Sequence, residues 1–232
     1  MTAILSNLQA TREAIAQAAR AAHRNVSDIS LLAVSKTFPA TAVREAYDCG
    51  QTAFGENYLQ EALEKIDALR DLPLEWHFIG PIQSNKTRAI AERFAWVHSV
   101  DRLKIAERLS AQRPANLPPL NICLQVNASE EESKSGVAPE EALPLAQQLA
   151  HLPHIRLRGL MTIPAPAAGE MEQRVPFARM RMLLEKMNSQ GMSLDTLSMG
   201  MSHDYPAAIK EGATIVRIGT AIFGTRNYGE SK

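Results

Sequence analysis

Eight short runs rich in β-branched, aromatic and other apolar residues alternate along this chain with segments whose apolar positions fall three and four apart. The runs cover residues 30–35, 52–56, 75–80, 96–100, 120–127, 156–163, 196–200 and 214–219. Between them, sets such as Leu59, Ala62, Leu63 and Ile66, or Ala142, Leu145, Ala146 and Leu149, mark helices that press one stripe onto a sheet. Gly50, Gly191 and Gly212 stand where helices should stop, and Pro139 suits the first turn of one. Strict alternation of strand and helix predicts a parallel sheet. Eight such units in 232 residues predict an α/β fold, a closed (β/α)8 TIM barrel; an open doubly wound sheet is the alternative, since strand order is not written in one sequence. Ile4, Leu8, Thr11, Ile15 and Ala19 repeat at helical spacing and predict an extra N-terminal helix. The expected organisation is one domain over residues 1–232.

Charge and cysteine content narrow the function classes. With 25 basic and 25 acidic residues and no basic run, the chain is not built for electrostatic binding to nucleic acid or to a membrane surface. Cys49 and Cys123 stand in unrelated contexts, so neither a disulfide framework nor a metal site is expected. The N-terminus lacks the apolar centre of a signal peptide, and no apolar run is long enough to cross a bilayer. The expected compartment is the cytoplasm.

In a barrel the chemistry gathers at the carboxyl ends of the strands. The stretch LLAVSKTFP, residues 31–39, delivers Lys36 to that rim after the first strand. Desolvation there would make the amine available for carbonyl chemistry, which makes Lys36 a candidate Schiff-base residue; a strand-end lysine reaching into solvent is the plainer alternative. Asn57 follows the second strand, as helix cap or ligand contact. His77 lies on the third strand, as core histidine or site residue, and Ser84 with Thr87 could cap the next helix. The last two strand ends carry Ser202, and Arg217 followed by Gly219 and Thr220, where barrels often bind phosphate. Ser202 is either a plain N-cap or an anion contact. Together these residues describe a small molecule with an aldehyde for Lys36, a phosphate for Ser202, Gly219 and Thr220, and a ring nitrogen facing Arg217. Pyridoxal 5′-phosphate (PLP) fits all three. An arginine, being a donor only, leaves the pyridine nitrogen without its proton and the cofactor a weaker electron sink.

The motifs AVSKTFP, FGENYLQEALEK, WHFIGPIQSNK, LQVNASEEESKSGV, GLMTIPAP, LSMGMSHD and VRIGTAIFG in combination resemble the YggS/PROSC family of pyridoxal phosphate homeostasis proteins, over residues 31–226. Ile82 stands where that pattern usually has leucine. The resemblance implies a barrel like the N-terminal domain of alanine racemases, with Lys36 holding PLP as a Schiff base and Arg217 facing its pyridine nitrogen. It further implies Ser202, Gly219 and Thr220 on the phosphate with Ser198 beside them, and Asn57, Met161 and His77 lining the pocket. The implied role is storage, buffering or delivery of PLP to PLP-dependent apoenzymes, by a monomer, without turnover. The main competing reading is a PLP-dependent racemase or decarboxylase. It needs a second acid/base, and Tyr228 on the short tail is a poor substitute for the tyrosine that racemases bring from an extra domain. A barrel aldolase forming a lysine Schiff base with a sugar phosphate is the third.

Overall fold

The alternating runs form β1 (Ser30–Val34), β2 (Ala53–Glu56), β3 (Glu75–Phe78), β4 (Trp96–Val100), β5 (Leu120–Gln125), β6 (Ile155–Met161), β7 (Thr196–Ser198) and β8 (Ile215–Ile218). Each pairs in parallel with its neighbours in chain order, and β8 pairs back onto β1, which closes the barrel. The computed structural model describes residues 2–129 and 135–225. Several strands end one or two residues earlier than the apolar runs suggest. There the chain leaves the ladder to build the loops over the C-terminal mouth.

The outer layer consists of α2 (Ala40–Asp48), α3 (Leu59–Ala68), α4 (Thr87–Arg93), α5 (Leu103–Gln112), α6 (Pro139–Ala150), α7 (Glu170–Ser189), α8 (Tyr205–Lys210) and α9 (Thr220–Phe223). Pro139 opens α6, and Gly50, Gly191 and Gly212 follow α2, α7 and α8 with positive φ, as the sequence predicts. The expected N-terminal helix is α1 (Ala3–Ala21), capped by the Thr2 hydroxyl, which accepts from the Leu5 amide. It buries Leu8, Thr11, Ile15 and Ala19 against α2, α8 and α9. Asn7 Nδ2 fastens it further by donating to the Ile222 carbonyl at 2.9 Å. No helix among the described residues is long and apolar enough to cross a membrane.

Period-two alternation along each strand decides what fills the barrel. Ala33, Phe54, Phe78, Val97, Ile122, Leu160 and Val216 point outward and are buried among the helices. Each of the larger of these side chains contributes about 1.5–3 kcal/mol. Leu32, Trp96, Cys123, Met161 and Ile215 point inward and form a separate apolar layer inside the barrel. In β8 the same alternation turns Val216 and Ile218 out and Ile215 and Arg217 in. An arginine is thereby committed to the interior.

Candidate functional site at the C-terminal mouth

The loop carrying Lys36 is held from both sides. Just before it, Ser35 is fully buried; its amide donates to the Gly55 carbonyl, and its hydroxyl donates to Glu56 Oε1 at 2.6 Å. Lys65, reaching up from α3, donates to the Ser35 carbonyl at 2.7 Å, to Glu56 Oε1 at 2.7 Å and to Glu61 Oε1 at 2.5 Å. On the other side, the Thr37 amide donates to the same Glu61 oxygen at 2.6 Å. Thr37 has φ +69°, an unfavourable conformation for a β-branched residue, and Glu61 holds the turn there. Burial pushes the Glu56 carboxyl above the usual carboxylate range, while Lys65 and Ser35 pull it back.

Lys36 opens into a cavity of about 260 Å³ lined also by Val34, Asn57, Ile79, Ile163, Met201, Ser202, His203, Arg217, Gly219 and Thr220. This is below the ~300–1,000 Å³ of sites for drug-sized ligands and suits a single-ring occupant. Six of the nine residues singled out from sequence meet here: Lys36, Asn57, Ser202, Arg217, Gly219 and Thr220. Gly200 makes the approach of Ser202 possible. With φ +93° it turns the chain sharply after β7, and a Cβ on it would lie 2.7 Å from that of Ala208. At Gly219 a Cβ would sit 3.0 Å from the Val34 carbonyl, so the bare backbone lets β1 and β8 close on the cavity.

Arg217 is buried, donating through NH1 to Ser198 Oγ at 2.8 Å and through NH2 to the Thr162 carbonyl at 2.9 Å. Burial lowers its pKa to about 10 against the pull of Asp204, so it remains a cation at neutral pH. Asn57 is no helix cap: the residue before α3 is Tyr58, with no side-chain cap bond. Asn57 Oδ1 is instead buried without a hydrogen-bond partner, the kind of atom a ligand satisfies. Ser202 is likewise no cap, because Asp204 occupies the position before α8 and accepts from the Met201 amide at 2.6 Å. Nor does Ser84 cap α4; its carbonyl accepts from Thr87 Oγ1.

Three sequence-predicted residues lie elsewhere. His77 lines a different cavity of about 510 Å³ at the N-terminal mouth, with Arg12, Glu75 and Trp96. Met161 belongs to the apolar layer inside the barrel, and Ser198 lies fully buried beneath Arg217. Tyr228 falls outside the described residues. In the other direction, His203 lines the cavity and was not singled out from the sequence; its place directly after Ser202 was the available signal.

The arrangement can receive an anion at two hydroxyls and a glycine backbone, a carbonyl at an amine, and an acceptor at a buried guanidinium. Comparison with known proteins is consistent with that chemistry. Residues 6–227 match the family described as alanine racemase, N-terminal domain. The pyridoxal phosphate homeostasis protein of Pseudomonas aeruginosa is 63% identical over 229 residues, covering 99% of this chain and 98% of that one. Its namesake in Escherichia coli K12 is 51% identical over 233 residues, covering 99% and 100%. Among solved structures, PipY of Synechococcus elongatus PCC7942 with PLP bound is 38% identical, with TM-score 0.84, covering 95% of this chain and 100% of that one. Alanine racemase of Corynebacterium glutamicum shares the fold alone, at 19% identity and TM-score 0.68; the match covers 99% of this chain and 62% of the racemase.

Proposed function

We propose a function for a chain that belongs to the alanine racemase N-terminal-domain family and, within it, to the pyridoxal phosphate homeostasis proteins. It binds PLP at the C-terminal mouth of its barrel, anchors it on Lys36, and stores or delivers it to PLP-dependent apoenzymes without a turnover of its own. It does so as a cytoplasmic monomer. The observation that carries this reading is the convergence of Lys36, Asn57, Ser202, Arg217, Gly219 and Thr220 on one small cavity.

When bound, PLP supplies an aldehyde that condenses with an amine, a phosphate, and a pyridine ring that can withdraw electrons. Lys36 brings the amine, on a loop fixed by Glu56, Glu61 and Lys65. The Ser202 and Thr220 hydroxyls and the main chain at Gly219 would hold the phosphate, and Asn57 would offer its open oxygen to the ligand. Arg217 would face the ring nitrogen as a donor. Being a cation with no proton acceptor, it keeps that nitrogen unprotonated and limits electron withdrawal. Such a setting suits holding a cofactor better than using it.

Borohydride reduction of the purified protein, followed by proteolysis and mass measurement, tests the assignment. A phosphopyridoxyl group on the Lys36 peptide is expected. A reduced sugar phosphate there would make the barrel an aldolase, and an adduct on another lysine would overturn the site.

One observation favours testing the racemase reading as well, namely that His203 places a second titratable side chain on the cavity. With PLP loaded, solvent deuterium is expected to enter the α-position of amino acids no faster than with free PLP, in the native protein and in His203→Gln alike. Faster exchange that vanished in His203→Gln would replace storage by catalysis.

A further inference from the structure

A line of polar side chains crosses the barrel interior and meets the cavity only at its inner end. Arg217 NH1 donates to Ser198 Oγ at 2.8 Å, and that oxygen is 2.8 Å from His98 Nδ1. His98 Nε2 is 2.9 Å from His77 Nδ1, and His77 Nε2 is 2.9 Å from Glu75 Oε1. The line joins β8, β7, β4 and β3. Four of its members are buried, whereas the Glu75 side chain is 51% exposed at the opposite mouth.

With both imidazoles neutral, the carboxylate end fixes every proton between the two ends, and the guanidinium end agrees with that order. A guanidinium only donates, so Ser198 accepts from it and has its own proton free for His98 Nδ1. An imidazole accepting at Nδ1 carries its proton on Nε2; His98 therefore donates to His77 Nδ1, and His77 donates from Nε2 to Glu75. Starting from Glu75, which as a carboxylate only accepts, gives the same order. All four bonds point one way, with a buried cation at one end and an anion at the other. Among the described residues Arg217 has no ion pair of its own, so this chain is its hydrogen-bonded route to a carboxylate.

We propose that Ser198, His98 and His77 are positioning residues that tie the Arg217 guanidinium to Glu75 at the far mouth, so that charge there sets how firmly the cavity holds PLP. The coupling to PLP rests on the function proposed above; the chain itself does not. Hydrogen bonds aligned in one direction inside a low-dielectric barrel polarise one another, which carries the influence of Glu75 to a side chain it does not touch.

The surroundings agree. Burial lowers the pKa of His77 against the pull of Glu75, and burial lowers that of His98 well below 6.5, helped by His77 and Arg217. Arg158 lies over the Trp96 ring beside Glu75, and Asp204 and Cys123 face Arg217. Because both imidazoles are held neutral, the chain is complete at neutral pH. It breaks from the acid side, as pH falls from 6.5 through the lowered values.

Nitrogen-15 NMR of histidine-labelled apo-protein at pH 7 tests the chain without cofactor. Both imidazoles are expected as neutral Nε2–H forms, and an Nδ1–H form or an imidazolium at either position overturns the proposal. For the coupling, the PLP dissociation constant is expected to rise about tenfold in Ser198→Ala, the loss of one hydrogen bond to a buried charge. It should recover in Ser198→Thr and rise about threefold in Glu75→Gln, with the gap between native and Glu75→Gln closing as pH falls below 6.5 and the imidazoles take up protons. Values within twofold of native in both Ser198→Ala and Glu75→Gln overturn the coupling. If the native protein bound no PLP, the cavity reading would fail, while the tautomers still decided the chain.

Discussion

Lys36→Ala is expected to yield a folded protein that purifies without the visible absorbance of a covalently held cofactor and takes up no reducible label. The side chain stands partly exposed at the end of β1, outside both apolar clusters, so its truncation should change folding stability by no more than about 1 kcal/mol. Ligand binding should suffer far more. The cavity lining proposed for the phosphate, Ser202, Gly219 and Thr220, and the guanidinium of Arg217 remain, yet the one bond that would distinguish PLP from other small phosphates is gone. A rise in the dissociation constant of about a hundredfold or more, some 2.7 kcal/mol, follows if the covalent step contributes even two decades. Spectrophotometric titration of the apo-protein measures it. Uptake within threefold of native, or a new adduct on a different lysine, would remove Lys36 from the centre of the site.

The fold was legible because short β-rich runs and helical apolar stripes read differently. Eight short apolar, β-rich runs separated by stretches of period 3.6 leave few architectures, and the closed barrel has its strands in the order of the sequence. The site was legible in the direction a residue faces and less so in its depth. In β8, alternation alone turns Arg217 inward. The family resemblance implied that His77 and Met161 line the pocket; both lie inside the barrel, but one layer below that cavity. The cavity is lined instead by Ile79 and Ile163, two residues further along the chain and just past the ends of β3 and β6. Sequence gives the parity of a strand position, whereas its layer depends on the tilt and stagger of strands in the closed barrel, which only the pairing reveals. His203 was missed for a different reason, since it lies in a turn with no period to read.

Lys65→Met tests a part of the site that the sequence concealed. In FGENYLQEALEK, Lys65 looks like a surface position paired with Glu61 one turn back, yet it is 4% exposed and lies under the loop that carries Lys36. Removing its charge leaves Glu56, fully buried, with only the Ser35 hydroxyl, while its second oxygen already lacks a partner. Breaking a buried pair from one side typically costs about 3–5 kcal/mol, and that loss is expected in urea unfolding at pH 7. The pH dependence has a definite sign. Without Lys65 the carboxyl pKa in the folded state, already above the usual 4.5, rises further. Folding then binds a proton, so the variant is least penalised below 4.5 and loses stability as pH rises through the raised value. Adding Glu56→Gln removes the orphaned charge, keeps an acceptor for Ser35, and should restore most of the loss. Recovered stability need not bring back function, because the Ser35 carbonyl still lacks the ammonium that fixes it beside Lys36. PLP binding by the double variant should therefore stay below native at equal stability. A single variant weakened by less than about 1 kcal/mol, or a double variant less stable than the single, would show that the Glu56–Lys65 pair is not what holds the loop.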